Sequence, residues 1–192
     1  DFLSQHARIL DPNDFRNEVS DPTHSHQAMV ILTFDDGYKR FVDQIHPILE
    51  SHQFKALWFI PTNYLGSEQG FWFDQIQLAI EASTTDKITI GSRVWKLPKR
   101  GRRYTAYQIK TFMKSARPGL LDSMVEEVLD QTGRPPIEAL KNHMLTNEAE
   151  IQALDGRGVH VASHSQSHRN LTVLDDDDLN DELVGSKQQL ES

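Results

Sequence analysis

Cysteine is absent from this 192-residue sequence. Disulfides and thiolate metal sites are therefore excluded, and any metal site must be built from histidine and carboxylates. Basic residues are in the minority: 20 Lys and Arg stand against 28 Asp and Glu, a formal net charge of −8. That balance argues against a nucleic-acid partner, which needs a basic patch. No apolar run approaches the ~20 residues that span a bilayer, so no transmembrane segment is read in this chain. The first residue is Asp, not Met, and no signal-peptide pattern precedes the first strand. The sequence reads as a mature form or an excerpt, which leaves localisation open. It is long enough for one domain with a real core, or for a piece of a larger one. It also holds nine histidines.

The apolar run Met29-Val30-Ile31-Leu32 predicts a buried strand that ends in Thr33-Phe34-Asp35-Asp36-Gly37-Tyr38. Neighbouring residues on a strand point to opposite faces. Two carboxylates at a strand's end can thus take different partners, one a metal and the other free as a base. Taken alone, Asp-Asp-Gly is more often a solvated turn, since Asp and Gly dominate turns. Residues 1–28 read as a polar, irregular leader with a helical patch around Phe2-Leu3 and Ile9-Leu10, and turns at Asp11-Pro12 and Asp21-Pro22. Within it, Thr23-His24-Ser25-His26 is either a metal-binding pair or a solvated one. Beyond the strand, Phe41, Val42, Ile45, Ile48 and Leu49 trace one helical face, with Pro47 predicting a kink. A second strand follows at Ala56-Leu57-Trp58-Phe59-Ile60. Strand, helix and strand at this spacing form a βαβ unit and a parallel sheet.

Residues 72–140 break that rhythm. Trp72-Phe73-Asp74 opens a short helix carrying Ile76, Ala79 and Ile80, and Lys87 to Leu97 alternates around Gly91-Ser92 as a hairpin through Ile88, Ile90 and Val94. The basic cluster Lys99-Arg100-Gly101-Arg102-Arg103 reads as a solvated loop ahead of helices at about 104–116 and 118–132. This region predicts an insertion with too few apolar residues for a core of its own. Thr146 is the expected N-cap of a short helix, with Glu148 and Glu150 in its first turn. A third strand, Val159 to Ser163, runs into His164-Ser165-Gln166-Ser167-His168. Asp175 to Asp178 then crowd the start of a last helix with an expected core face of Leu179, Leu183 and Leu190.

His164 and His168 are spaced so that two imidazoles can converge on one ion. Both they and the Asp pair follow strands, and in parallel α/β folds the loops beyond the strands' carboxyl ends share one ligand-binding face. Two His plus one carboxylate with an open coordination position make a catalytic, zinc-like set.

On these residues the sequence resembles the polysaccharide deacetylase family, the NodB-homology domain. Thr-Phe-Asp-Asp-Gly stands whole at 33–37, and His-Ser/Thr-x-x-His stands whole at 164–168 with Leu171 after it. Pro47-Ile48-Leu49, the aromatic strand at 57–60 and Trp72-Phe73-Asp74 are similar too. The resemblance covers most of 28–192. It implies an α/β fold, part of a distorted (β/α) barrel, in which 29–192 are the N-terminal part of a catalytic domain. Residues 1–28 would be its leader and about 72–140 its insertion. It implies metal-dependent hydrolysis of N-acetyl, or sometimes O-acetyl, groups on an acetylated polysaccharide or oligosaccharide, in an extracytoplasmic or cell-envelope setting. Asp36, His164 and His168 would bind one divalent ion, zinc in most members, and Asp35 would be the general base. The family's later Arg-x-x-x-x-Pro and Leu-x-His segments have no match after His168, and three parallel strands plus a hairpin fall short of the eight a barrel needs. The sequence thus reads as a fragment or a degenerate domain. Two rival readings are a non-catalytic metal- or glycan-binding member and another metallohydrolase such as a phosphoesterase. A two-metal site would need more ligands than this one cluster offers. Tyr64, Trp72 and Phe73 suit either sugar stacking or core packing. No substrate-binding residue is singled out.

Overall fold

A computed structural model describes residues 2–20, 28–154 and 156–192; the Asp21-Pro22 turn and the Thr23–His26 pair lie outside the described residues. Strand β1 (Ala7–Ile9) opens the fold, followed by β2 (Ala28–Val30) and β3 (Leu32–Phe34). The apolar run is therefore two strands, broken at Ile31. Residues 1–20 also differ from expectation: Ile9 lies in a strand, the helical patch is confined to Phe2–His6, and a 3-10 turn, Pro12–Asp14, leads into a second helix, Phe15–Ser20. β1 pairs in parallel with β2. β3 pairs in parallel with β4 (Ala56–Ile60), whose other edge takes β7 (Val159–Ser163), giving the order β3-β4-β7. The architecture is α/β, an arc of parallel strands from a distorted (β/α) barrel. Phe34 lies opposite Trp58, and Ile60 lies opposite Ser163. The carboxyl ends of β3 and β7 thereby flank the end of β4, so the loops that follow them open onto one rim.

Under this sheet Phe41, Leu49, Ala56, Trp58, Ile60 and Leu154 form a core, with Phe41 stacked on Trp58 at 4.2 Å. The helix after β3 begins as a π-turn, Phe41–Ile45, and continues as an α-helix, His46–Ser51. Pro47 has no N–H to give Asp43. The ladder widens just before it, and the His46 N–H bonds to the Phe41 carbonyl five residues back.

Residues 72–140 do form a core of their own, against expectation. Helix Trp72–Ala82, hairpin β5 (Lys87–Ile90) and β6 (Arg93–Lys96), and helices Arg102–Met113 and Pro118–Thr132 bury Ile76, Ile80, Ile88, Trp95, Met113 and Val128 together. Each element contributes one narrow apolar stripe, and the stripes add up only when packed against one another. In the hairpin, Ile88 faces Trp95 across the ladder. Val94 is 59 % exposed, so the inward residue of β6 is Trp95. Arg102 is structural, not solvated: its guanidinium donates to the Ile80 and Thr85 carbonyls at 3.2 and 2.9 Å, closing the end of helix Trp72–Ala82.

Two further expectations shift. The N-cap of helix Glu148–Gln152 is Asn147, in a capping box with Glu150, while Thr146 is fully buried. In the last helical stretch, Leu183 is 48 % exposed while Leu179 and Leu190 are half-buried, and the residues buried most deeply are Glu182 and Ser186. Asp175 caps that stretch through the Asp178 N–H at 3.0 Å. Among the described residues no helix is long and apolar enough to cross a membrane.

Candidate metal centre

The turn after β3 is built from two consecutive left-handed residues, Asp36 at φ 74° and Gly37 at φ 70°. Asp is one of the few side chains that tolerates this region. At 37 only glycine fits well, since a Cβ there would lie 3.0 Å from Ile60 Cγ2. Residues 144–146 clamp the turn from outside. The Thr146 N–H donates to the Gly37 carbonyl at 2.9 Å, and the Lys39 N–H donates to the Met144 carbonyl at 2.9 Å.

The loop after β7 continues the strand by one bond, from the His164 N–H to the Ile60 carbonyl at 3.0 Å. It then turns through left-handed Ser165 (φ 64°) and His168 (φ 54°). Two of the three candidate ligands, Asp36 and His168, thus sit on backbone that L-residues seldom adopt. Such strain clusters at functional sites.

The two loops meet. Asp36 Oδ1 lies 3.0 Å from His168 Nε2 and 3.5 Å from His164 Nε2, and donor atoms of the three residues all lie within 4.8 Å of one another. Tetrahedral zinc, with ligand bonds of about 2.0–2.1 Å, separates its donors by about 3.3 Å. The two measured separations straddle that value. Two imidazole nitrogens and one carboxylate oxygen therefore fit a divalent ion, and this is the one such cluster among the described residues. The electrostatics agree. Burial pushes the Asp36 carboxyl up, but hydrogen bonds from His164 and His168 and their charges outweigh it, leaving the group well below the usual carboxylate range. The His164 imidazole is raised by its hydrogen bond to Asp36 despite burial, and the charge of Asp35 adds to the effect.

Asp35 stands outside the triad. It is exposed in a cleft that it lines with Phe34, Tyr38, Phe41, Asp74 and His143. There the Tyr38 hydroxyl donates to Asp74 Oδ2 at 2.7 Å, and His143 Nδ1 lies 2.9 Å from Asp74 Oδ1. Burial, reinforced by the Asp74 charge, pushes the Tyr38 hydroxyl far up, so it stays a donor. On the other side, His168 lines a groove with Trp72, Phe73, Lys114, Leu121 and Arg169. Phe71, fully buried, stacks on Phe73 at 4.8 Å and packs with tilted rings against Tyr64 and His168 at 4.6 and 5.0 Å. Tyr64 and Phe73 are thus partly core, while Trp72 and Phe73 also wall the groove. Sequence reasoning did not single out Phe71, His143 or Glu182. None of them lies in a motif, and only Phe71, next to Trp72-Phe73-Asp74, stood near a signal.

In comparisons with known proteins, residues 23–137 match the polysaccharide deacetylase family. That match contains the Asp-Asp-Gly turn and ends ahead of His164 and His168. No curated protein matches the chain. Among solved structures it is similar to the Streptococcus pyogenes deacetylase PplD in complex with acetate, at 14% identity and a TM-score of 0.53, over 99% of this chain and 52% of that one. An identity this low speaks for the fold alone. The deacetylase domain of BpsB from Bordetella bronchiseptica is 17% identical with a TM-score of 0.39, over 88% of this chain and 42% of the other. The chain spans about half the length of the solved structures it matches. Since the family match takes in more than half of its residues, the chain belongs to the polysaccharide deacetylase family.

Proposed function

We propose that this chain carries the metal centre and general base of an enzyme that hydrolyses N-acetyl, or O-acetyl, groups of a polysaccharide and releases acetate. The observation that carries the reading is the convergence of Asp36 with His164 and His168 at ion-coordinating separations. These three would hold one divalent ion, and a nitrogen-rich donor set of this kind favours zinc. When bound, such an ion supplies Lewis-acid polarisation of the acetyl carbonyl and lowers the pKa of a water. Asp35, beside the triad but outside it, is the base. It takes the proton as water adds to the carbonyl carbon, and its advantage is position. The C–N or C–O bond then breaks as that proton passes to the leaving nitrogen or oxygen, leaving acetate and the free amine or alcohol.

The Asp35 cleft and the Trp72–Phe73 groove flank the triad on two sides, which supports an extended glycan over a compact small molecule. In this reading residues 29–192 are the N-terminal part of the catalytic domain, 1–28 its leader and about 72–140 an insertion. A cell-envelope or extracytoplasmic setting follows from the substrate.

The test is acetate release from acetylated chitin, peptidoglycan and xylan fragments by the zinc-loaded protein. Asp36→Asn should lose tight zinc binding. Asp35→Asn should keep zinc within about twofold and lose turnover by about 10²–10⁴-fold, the scale of a general base. Zinc retained in Asp36→Asn would refute the ligand assignment, and full turnover in Asp35→Asn would remove the base.

A further inference from the structure

Glu182 is a buried acid, 7 % exposed, on a helical stretch that otherwise shows its apolar side chains Leu183 and Val184 to solvent. Its carboxylate faces the His164–His168 loop. Oε2 accepts from the Gln166 and Ser167 backbone N–H groups, both at 2.8 Å, and Oε1 accepts from the Ser167 hydroxyl. The other N–H groups of the loop have acceptors of their own. His164 donates to the Ile60 carbonyl, Ser165 to Ser163 Oγ at 3.1 Å, and His168 to Ser165 Oγ at 3.2 Å. One side chain from the following helical stretch therefore takes two of the loop's five backbone donors.

Those two donors lie between the left-handed residues Ser165 and His168, where the chain must turn sharply to return the second imidazole toward the first. One turn further along the helix, Ser186 is fully buried. Its hydroxyl lies 2.5 Å from Ser163 Oγ and donates to the Leu183 carbonyl at 3.0 Å. The stretch carrying both residues is a π-turn, Asp181–Gly185, leading into helix Ser186–Leu190; π-bulges recur where a helix must re-aim side chains at a functional site. Gly185, between them, leaves room for the Gln166 side-chain amide, which a Cβ would meet.

We infer that Glu182 is a positioning residue of the metal centre, whose carboxylate holds the 164–168 loop in the shape that delivers His164 and His168 to Asp36. Without it, two N–H groups lose their acceptor, and the left-handed backbone at Ser165 and His168 loses the contact that offsets its strain. The imidazoles remain, but their spacing no longer matches an ion. The inference rests on the metal reading of that triad. It differs from a purely structural role, which would lower stability and leave the affinity of the folded protein alone.

The experiment compares the wild-type chain with Glu182→Gln and Glu182→Ala. Zinc affinity is measured by competition with a chromophoric chelator, the visible absorption of the Co²⁺-loaded protein reports ligand geometry, and amide exchange is followed at Gln166 and Ser167. Glu182→Ala should weaken zinc binding by about 10–100-fold, the range for residues that orient metal ligands. It should also shift the Co²⁺ bands and speed exchange at the two amides. Glu182→Gln, which keeps one oxygen acceptor, should fall between, and it carries the test if the alanine variant fails to fold. Folded variants with wild-type affinity, bands and exchange would overturn the inference. A wild-type chain that binds neither ion would instead overturn the metal reading, and this inference with it.

Discussion

Gly37→Ala isolates what the Asp-Asp-Gly turn demands of its backbone. Its φ of +70° costs an L-residue about 1–2 kcal/mol. The new Cβ would also lie 3.0 Å from Ile60 Cγ2, closer than packed carbons approach. Ile60 is 1 % exposed and paired with Ser163 of β7, so it yields little, and overpacking of this kind adds about 1–3 kcal/mol. The expected loss is about 2–5 kcal/mol. Gly91→Ala separates the two causes, because Gly91 also has positive φ (56°) but a Cβ there meets nothing within 4 Å. It should cost only the backbone share, about 1–2 kcal/mol. Gly119→Ala, in helical backbone with open space around it, should stabilise by about 0.4–1 kcal/mol. Urea melts of the three variants with the m-value held constant would read these differences. In thermal melts each kcal/mol should move Tm by about 2–4 °C for a chain of this size. Zinc affinity should fall in Gly37→Ala alone, since only that residue adjoins Asp36. A Gly37→Ala protein no less stable than Gly91→Ala would refute the steric argument.

The metal centre should also show in the pH dependence of stability. In the metal-free chain the raised His164 imidazole contributes stability that is full below its unfolded value, about 6.5, and is lost as pH rises through the higher folded value. The depressed Asp36 carboxyl contributes above about 3.9 and loses its share only as pH falls well below that. Zinc needs the imidazoles unprotonated, so the Tm gap between zinc-loaded and chelator-stripped protein should widen from pH 5 to pH 8. A gap that stays flat over that range would count against His164 as a ligand. Separately, Tyr38→Phe leaves buried Asp74 Oδ2 without its 2.7 Å donor and should destabilise by about 1–3 kcal/mol. An unmoved urea midpoint would mean the Tyr38–Asp74 bond contributes nothing net.

Local chemistry was legible from the residues alone. Thr33 to Gly37 and His164 to His168 could be read as two strand-end motifs because strand periodicity, turn residues and ligand types are all short-range properties. The hairpin, the two long helices that follow it and the acidic start of the last helix were legible for the same reason. Three things were decided only by packing. Ile31 splits an apolar run into strands of two different sheets, because β2 finds its partner in the leader and β3 finds its own in β4. The stretch from 72 to 140 gains a core because stripes from separate elements meet. Glu182, which hydrophobic periodicity assigns to solvent in favour of Leu183, turns inward, because the loop holding both histidines has N–H groups that must find an acceptor. A residue's own neighbours announce its chemistry. Whether that side chain is needed inside depends on which backbone donors the rest of the fold leaves unsatisfied, and that is known only once distant segments are brought together.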